Sequence, residues 1–215
     1  MKTESQNRKL PKSSLVKPVI QFYSVKNKAA MFCESELEVD ALRLLEFAPS
    51  VARYVTQPKS FSWRYQGREL RYTPDILVQY INGIYEFVEV KPLVKAKNKV
   101  FTDKFVALRK QFSFGQNSAL RLMTCPTIRH QGDHIRRRQL YRYRKLPDLT
   151  NRQVVIALNT FNTQEKVSIG HLVEVFQKDH HQPIDAWNFL ANWFHRIDFL
   201  GEEKLTNNTQ VRWNH

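Results

Sequence analysis

Two short apolar runs on either side of Asn82-Gly83 constrain this chain more than any other feature. Asp75 to Tyr80 (Asp-Ile-Leu-Val-Gln-Tyr) and Tyr85 to Lys91 (Tyr-Glu-Phe-Val-Glu-Val-Lys) are rich in β-branched and aromatic residues, and Asn82-Gly83 signals the turn between them. Loop length decides what the hairpin displays. A two-residue loop sets Asp75 opposite Val90 and sends Glu89 to the other face, because side chains alternate with period two. A three-residue loop, Ile81-Asn82-Gly83, with Gly83 in the left-handed conformation of a bulge, pairs Tyr80 with Ile84 and therefore Asp75 with Glu89. That register is predicted. Directly opposed Cβ atoms lie about 4.5–5.5 Å apart, so two carboxylates there can share one hard cation. Lys91 then projects beside Glu89, while Ile76, Val78, Val88 and Val90 form an apolar reverse face, and Pro92 ends the strand. The plainer reading of the same residues is a half-exposed hairpin with ordinary solvated charges.

A third carboxylate is available upstream. Phe32 to Ala48 places Leu37, Ala41, Leu44, Leu45 and Ala48 at helical spacing, and Pro49 stops the helix. Glu34 and Glu38 share one side, with Glu38 bordering the apolar stripe. Ser35 with Glu38 also fits a capping box, in which Glu38 satisfies a backbone donor. Both readings stand on these residues.

The chain of 215 residues carries a formal charge of +14 and a pI near 9.9, which points to a polyanionic partner. From Met1 to Lys145 there are 28 Lys and Arg against 12 Asp and Glu; from Leu146 to His215 there are 6 against 8. That asymmetry, with Pro147 near the change, predicts a basic first domain over 15–145 and a second over 146–215. Residues 1–14 are polar and basic and read as a flexible arm without a signal-peptide core. With two cysteines, Cys33 and Cys125, neither a disulfide framework nor a cysteine zinc site is indicated. No run approaches the length of a membrane helix, so an intracellular, cytoplasmic protein is expected, nucleoid-associated when acting.

Cations cluster on both sides of the hairpin's end and further on. Lys95, Lys97 and Lys99 follow the second strand as a short loop. Val100, Phe101, Phe105, Leu108 and Phe112 then mark a helix, and Ala119 to Thr124 a strand. Arg129, Arg136, Arg137, Arg138, Arg142, Arg144 and Lys145 form the densest basic segment, with Tyr141 and Tyr143 among them. Lys95, Lys97, Lys99, Arg136, Arg137 and Arg138 are the candidates for phosphate contact. A solvated basic helix is the bland alternative. The histidines form no ligand framework, and no phosphate-cradling glycine loop is present.

Beyond Pro147, Val154, Val155, Leu158 and Phe161 mark one helix. Ser168 caps a second containing Leu172, Val175 and Phe176; Pro183 opens a third containing Trp187, Leu190, Ala191 and Phe194. Phe199-Leu200 and Val211 to Trp213 flank a polar hairpin segment. Three helices and a hairpin predict a small winged-helix-like domain, with a three-helix bundle as the alternative. Its third helix offers Asp185, Asn188, Asn192, His195 and Arg196, and the segment is net acidic. A protein-contact role is therefore expected.

Ser35-Glu36-Leu37-Glu38, Leu44-Leu45-Glu46-Phe47 running to Ser50-Val51, Gln57-Pro58, Thr73-Pro74-Asp75 and Val88-Glu89-Val90-Lys91-Pro92 together resemble TnsA, the endonuclease subunit of heteromeric bacterial transposases. TnsA belongs to the restriction-endonuclease-like, or PD-(D/E)xK, group. The resemblance runs from about Glu34 to Phe112. It implies an α/β fold with a mixed central sheet flanked by helices. It also implies catalytic residues at Glu38, Asp75, Glu89 and Lys91. The metal ligands would be Glu38, Asp75, Glu89 and the Val90 carbonyl, holding Mg2+ with Mn2+ able to substitute; TnsA-like proteins also carry glutamine at the Glu89 position. The implied activity is cleavage of the non-transferred strand at the 5′ ends of a transposon during excision. The implied partners are double-stranded transposon ends, a DDE-type transposase and, through the C-terminal domain, an AAA+ ATPase regulator. A stand-alone restriction or repair nuclease, and a non-catalytic DNA-binding adaptor of nuclease-like fold, are the alternatives.

Overall fold

The computed structural model describes residues 19–116 and 119–214, with the side chains of 113–116 left aside. The expected arm over 1–14 lies outside the described residues. The chain divides into two compact units, the first ending at His130 and the second starting at Gln131.

In the first unit, β1 (Ile20–Ser24) and β2 (Ala29–Cys33) form a hairpin that leads into α1 (Glu36–Phe47). The helix starts later than its apolar spacing predicts. Met31 and Cys33 are buried at period two, which draws Phe32 and Cys33 into β2. Ser35 then caps the helix, its side chain accepting the Glu38 N–H at 3.3 Å. Buried Glu46 near the helix end accepts hydrogen bonds from Ser24 and Tyr54, each at 2.5 Å, and so ties α1 to β1 and β3.

The central sheet has the order β3 (Val51–Thr56), β6 (Ile76–Tyr80), β7 (Tyr85–Lys91), β8 (Ala119–Thr124). Only the β7–β8 pair is parallel, reached through α2 (Leu93–Ala96) and α3 (Lys99–Gln116), so the sheet is mixed as predicted. Between β3 and β6 the chain builds a separate ribbon, β4 (Phe61–Tyr65) and β5 (Arg68–Tyr72). After β8, the short α4 (Cys125–Ile128) closes the unit.

Both faces of the sheet are covered. On one, Ile76, Val78, Val88 and Val90 are buried, as the sequence pattern requires. On the other, Leu77 and Phe87 join Phe105, Leu108 and Phe112 of α3 and Leu120 of β8, with Phe61, Trp63 and Tyr72 of the ribbon packed against them. The β6–β7 register is the predicted one: Ile76 opposes Val88 and Gln79 opposes Tyr85. The three-residue loop closes with the Tyr80 N–H donating to the Ile84 carbonyl at 2.9 Å, and Gly83 sits at φ +84.

The second unit contains α5 (Asp133–Leu140), α6 (Asn151–Thr163), β9 (Val167–Ser168), α7 (Ile169–Lys178), α8 (Pro183–Asn192), β10 (Ile197–Leu200) and β11 (Gln210–Trp213). Its three-stranded antiparallel sheet has the order β10-β11-β9. The boundary expected at 145/146 moves back to 130/131. Gln131 and Gly132 take positive φ values of 45 and 77, a break in the chain's direction just before α5. The helix that follows packs with α8. The predicted stripe on α6 is also shifted: Ala157, Thr160 and Phe161 are buried, while Val155 is 52% exposed. Among the described residues no helix is long and apolar enough to cross a membrane.

Gly83 has open space around it, so a side chain there is opposed by backbone conformation alone. Gly83→Val is expected to lower stability by about 1–2 kcal/mol in urea denaturation, and Gly83→Asn by clearly less, since asparagine visits the left-handed region more readily.

Candidate active site

The site is built where β6 and β7 end. Tyr80 and Ile84 share a hydrogen-bonded rung, and rungs alternate, so Asp75 and Glu89 fall on a non-hydrogen-bonded pair, where side chains approach most closely. The next rung pairs residue 74 with Val90. There the Val90 N–H donates at 2.7 Å to the Asp75 Oδ2. Pro74 has no N–H to give in return, so the Val90 carbonyl loses its ladder donor from β6. On the far side the Gln57 N–H donates to the Asp75 carbonyl at 2.8 Å, fixing that residue from β3.

Lys91 lies with both carboxylates, its Nζ 2.5 Å from Glu89 Oε1 and 3.8 Å from Asp75 Oδ2. Glu89 is 6% exposed, and its second oxygen accepts a hydrogen bond from the Tyr72 hydroxyl at 2.7 Å. Glu38 completes half of the expected capping box: Oε1 accepts from Ser35 Oγ at 2.8 Å, but Oε2 accepts the Glu34 N–H at 2.9 Å in place of the Ser35 N–H. Its charge nonetheless reaches Asp75, Lys91 and Cys33. The cap and proximity to the site are thus properties of one side chain. Among the described residues no three or more His, Cys, Asp or Glu side chains are gathered as a metal cluster.

Burial pushes the Asp75 carboxyl up to about 8, and the Glu89 charge adds to this; Lys91 and the Val90 N–H act against it, and Glu38 reinforces it. Burial works to discharge Lys91, but Asp75 and Glu89 together outweigh it and hold the ammonium above its ordinary value. Burial, then the Glu89 charge and hydrogen bond, drive Tyr72 far above the ordinary phenol range, so it remains a donor to Glu89. Cys33 is likewise pushed up by burial and the nearby acids, and stays a thiol.

Two groups at the site were invisible to motif spacing. Tyr72 sits in the ribbon that sequence reading left as a connection, although Gln66-Gly67 between two aromatic runs is a hairpin signal. Gln57 entered only as part of a resemblance. It is 6% exposed with φ 45, its Nε2 donates to Glu34 Oε1 at 3.2 Å, and its Oε1 is buried with no hydrogen-bond partner among the described residues.

Residues 48–124 match the family described as TnsA-like endonuclease N terminal. This stretch is similar to the N-terminal domain of TnsA-like endonucleases. It spans Asp75, Glu89, Val90 and Lys91, while α1 with Glu38 and the whole second unit lie outside the matched residues. No curated protein matches the sequence.

The cations around the TnsA-like domain divide sharply. Lys95, Lys97 and Lys99 are exposed, on and after a short helix instead of the expected loop, with Lys99 3.8 Å from Asp103. Arg129 is paired with buried Asp40 at 2.8 Å. Arg136 and Arg137 correct the sequence expectation, because both are 6% exposed. Arg136 donates to the carbonyls of Gln131, Gly201 and Glu202 and to Asp133, and Arg137 also faces Asp133 at 3.8 Å. Their guanidinium groups hold the second unit together and are spent before any phosphate arrives. Arg138 is exposed.

The raised Asp75 pKa has a sign that can be tested without metal. Between the ordinary carboxylate value and about 8 the folded state binds the extra proton, so Asp75 makes stability fall as pH rises across that window. In EDTA, Asp75→Asn is expected to be more stable than the wild type at pH 8, with the gap closing towards pH 4 in thermal unfolding.

Proposed function

We propose that this chain is the metal-dependent DNA endonuclease subunit of a heteromeric transposase, cutting the non-transferred strand at the 5′ ends of the element. The observation that carries this reading is the meeting of Asp75, Glu89 and Lys91 at one sheet end inside a TnsA-like domain. The residues fit a hard divalent cation. Burial and then the Glu89 charge raise Asp75, Lys91 already pairs with both carboxylates as a shared cation, and Val90 would contribute a carbonyl freed by Pro74. Magnesium keeps several waters and commonly takes only one or two protein carboxylates, so a third ligand side chain is not required.

Asp75, Glu89 and the Val90 carbonyl would hold the ion, with Glu38 completing the shell through water. When bound, magnesium, or manganese in its place, supplies positive charge to the scissile phosphate and acidity to neighbouring water. Lys91 would orient the attacking water and stabilise charge developing on the phosphate. Tyr72 holds Glu89 in position with its hydroxyl.

The second unit has the order helix, strand, helix, helix, strand, strand over α6 to β11, with β11 central in its sheet; this supports a winged-helix-like module. Asn188, one of the polar residues that the third helix offers, is buried and donates to the Pro147 carbonyl. That favours partner contact over base reading. The DDE-type transposase and an AAA+ regulator are the proposed partners, and transposon-end DNA the substrate.

Asp75→Ala and Lys91→Ala should each lower magnesium-dependent cleavage of transposon-end DNA, assayed with the transposase present, on the order of 10²-fold or more while the thermal transition persists. Cleavage at wild-type rate by either variant rejects the assignment; efficient specific cleavage without a transposase favours a stand-alone nuclease. Ser35→Ala should cost about 1 kcal/mol of stability yet keep cleavage, whereas Glu38→Gln should lose cleavage. Equal cleavage by both variants would reduce Glu38 to a cap.

A further inference from the structure

Apart from Tyr72, the ribbon β4–β5 has no role in the site as described, yet its chemistry is specific. Its inner face, Phe61, Trp63, Leu70 and Tyr72, is half-buried, and Phe61 meets Phe87 and Phe112 edge-on at 5.3 and 4.8 Å. The Gln111 side chain clamps the free edge of β4, accepting the Arg64 N–H at 3.2 Å and donating to the Arg64 carbonyl at 2.6 Å. A Gln66-Gly67 turn, with φ values of 49 and 76, closes the tip. The arm is rigid at its base and about 17 Å long, from five residues at about 3.3 Å each.

Its cations are of a different kind from those of α5. Arg64 and Arg71 lie on the outer face and Arg68 at the tip; all three are exposed, and none has an ion-pair partner among the described residues. Between Lys59 and Tyr72 there are four Lys and Arg against Glu69 alone. The last residue of the ribbon, Tyr72, donates to Glu89, and three positions later the chain supplies Asp75. A two-stranded ribbon is one of the shapes that the major groove of B-DNA admits, and exposed guanidinium groups suit phosphate oxygens.

From these features we infer that the β4–β5 ribbon grips duplex DNA beside the scissile phosphate, with Arg64, Arg68 and Arg71 on the backbone and Tyr72 linking the grip to Glu89. The inference rests on the endonuclease reading and adds the element that holds the substrate. Its partner is duplex DNA, recognised by backbone charge and groove shape.

The test measures binding of the full-length protein to a fluorescein-labelled duplex in EDTA, where nothing is cut, over a range of salt. The variant R64A/R68A/R71A should flatten the slope of log affinity against log salt by about 2 to 3, at about 0.9 per lost phosphate contact. Its affinity at moderate salt should fall at least tenfold. A control removing three exposed lysines of the second unit, K166A/K178A/K204A, should leave the slope unchanged. Equal losses in both variants would mean that net charge alone matters, and would overturn the inference, as would a wild-type slope in the ribbon variant. In magnesium with the transposase present, Lys91→Ala should not cut. If it cuts, the nuclease reading fails independently of the ribbon result.

A photocrosslinker on Glu69→Cys, in a protein with Cys125→Ser, leaves Arg64, Arg68 and Arg71 in place and is read without any loss of binding. An adduct within one helical turn of the cut supports the inference, and absence of any DNA adduct overturns it. A ribbon variant that binds DNA normally but no longer associates with the transposase would assign the arm to protein contact and also overturn it.

Discussion

One missing backbone donor organises the site. Where β6 and β7 would make their next reciprocal rung, Pro74 can accept but not donate, so the ladder opens at residues 74 and 90. The Val90 N–H turns to the Asp75 carboxylate instead, which locks that side chain across from Glu89. The same substitution of partners leaves the Val90 carbonyl without a ladder donor from β6. A proline, an aspartate and a two-residue step from Glu89 to Lys91 are therefore parts of one device. Its elements are conformational before they are chemical.

Charge placement explains why the pair of acids is stable at all. Two carboxylates in a partly buried setting repel each other, and the structure meets this with a lysine, a phenol and a backbone amide, each directed at a particular oxygen. Asp75 is the member that is driven towards its neutral form. Under the proposed function, a cation entering this site would compete with a proton and an ammonium. Above the ordinary carboxylate range the burial of Asp75 costs folding stability.

The hairpin was legible because period-two alternation and a left-handed glycine leave few registers, and loop length alone distinguished Glu89 facing Asp75 from Glu89 facing away. The mixed sheet came with the resemblance, and the helical stripe of Val100 to Phe112 between β7 and β8 supplies the long crossover that a parallel pair needs. What escaped was set by tertiary context. Phe32 and Cys33 fit a helical stripe and a strand equally well, and packing of Met31 and Cys33 decided for the strand. The ribbon was missed although Gln66-Gly67 is a turn signal, because its alternation mixes arginines with aromatics and no apolar run stands out. The basic segment misled for a related reason. Sequence counts charges but does not show which are consumed, and Arg136 and Arg137 are consumed by carbonyl oxygens and Asp133. With the boundary at 130/131, the second unit holds 12 Lys and Arg against 9 Asp and Glu, so its net charge changes sign relative to the 146–215 segment.

The Gln111 amide on β4 carries a consequence of another sort. An outer strand with bare N–H and C=O groups is a template on which a second chain can extend the sheet, and a short two-stranded arm is the element most open to it. By engaging both groups of Arg64, one side chain from α3 imitates a neighbouring strand and denies that template to other copies. The ribbon can thus remain two-stranded without recruiting further strands at the edge that Gln111 covers.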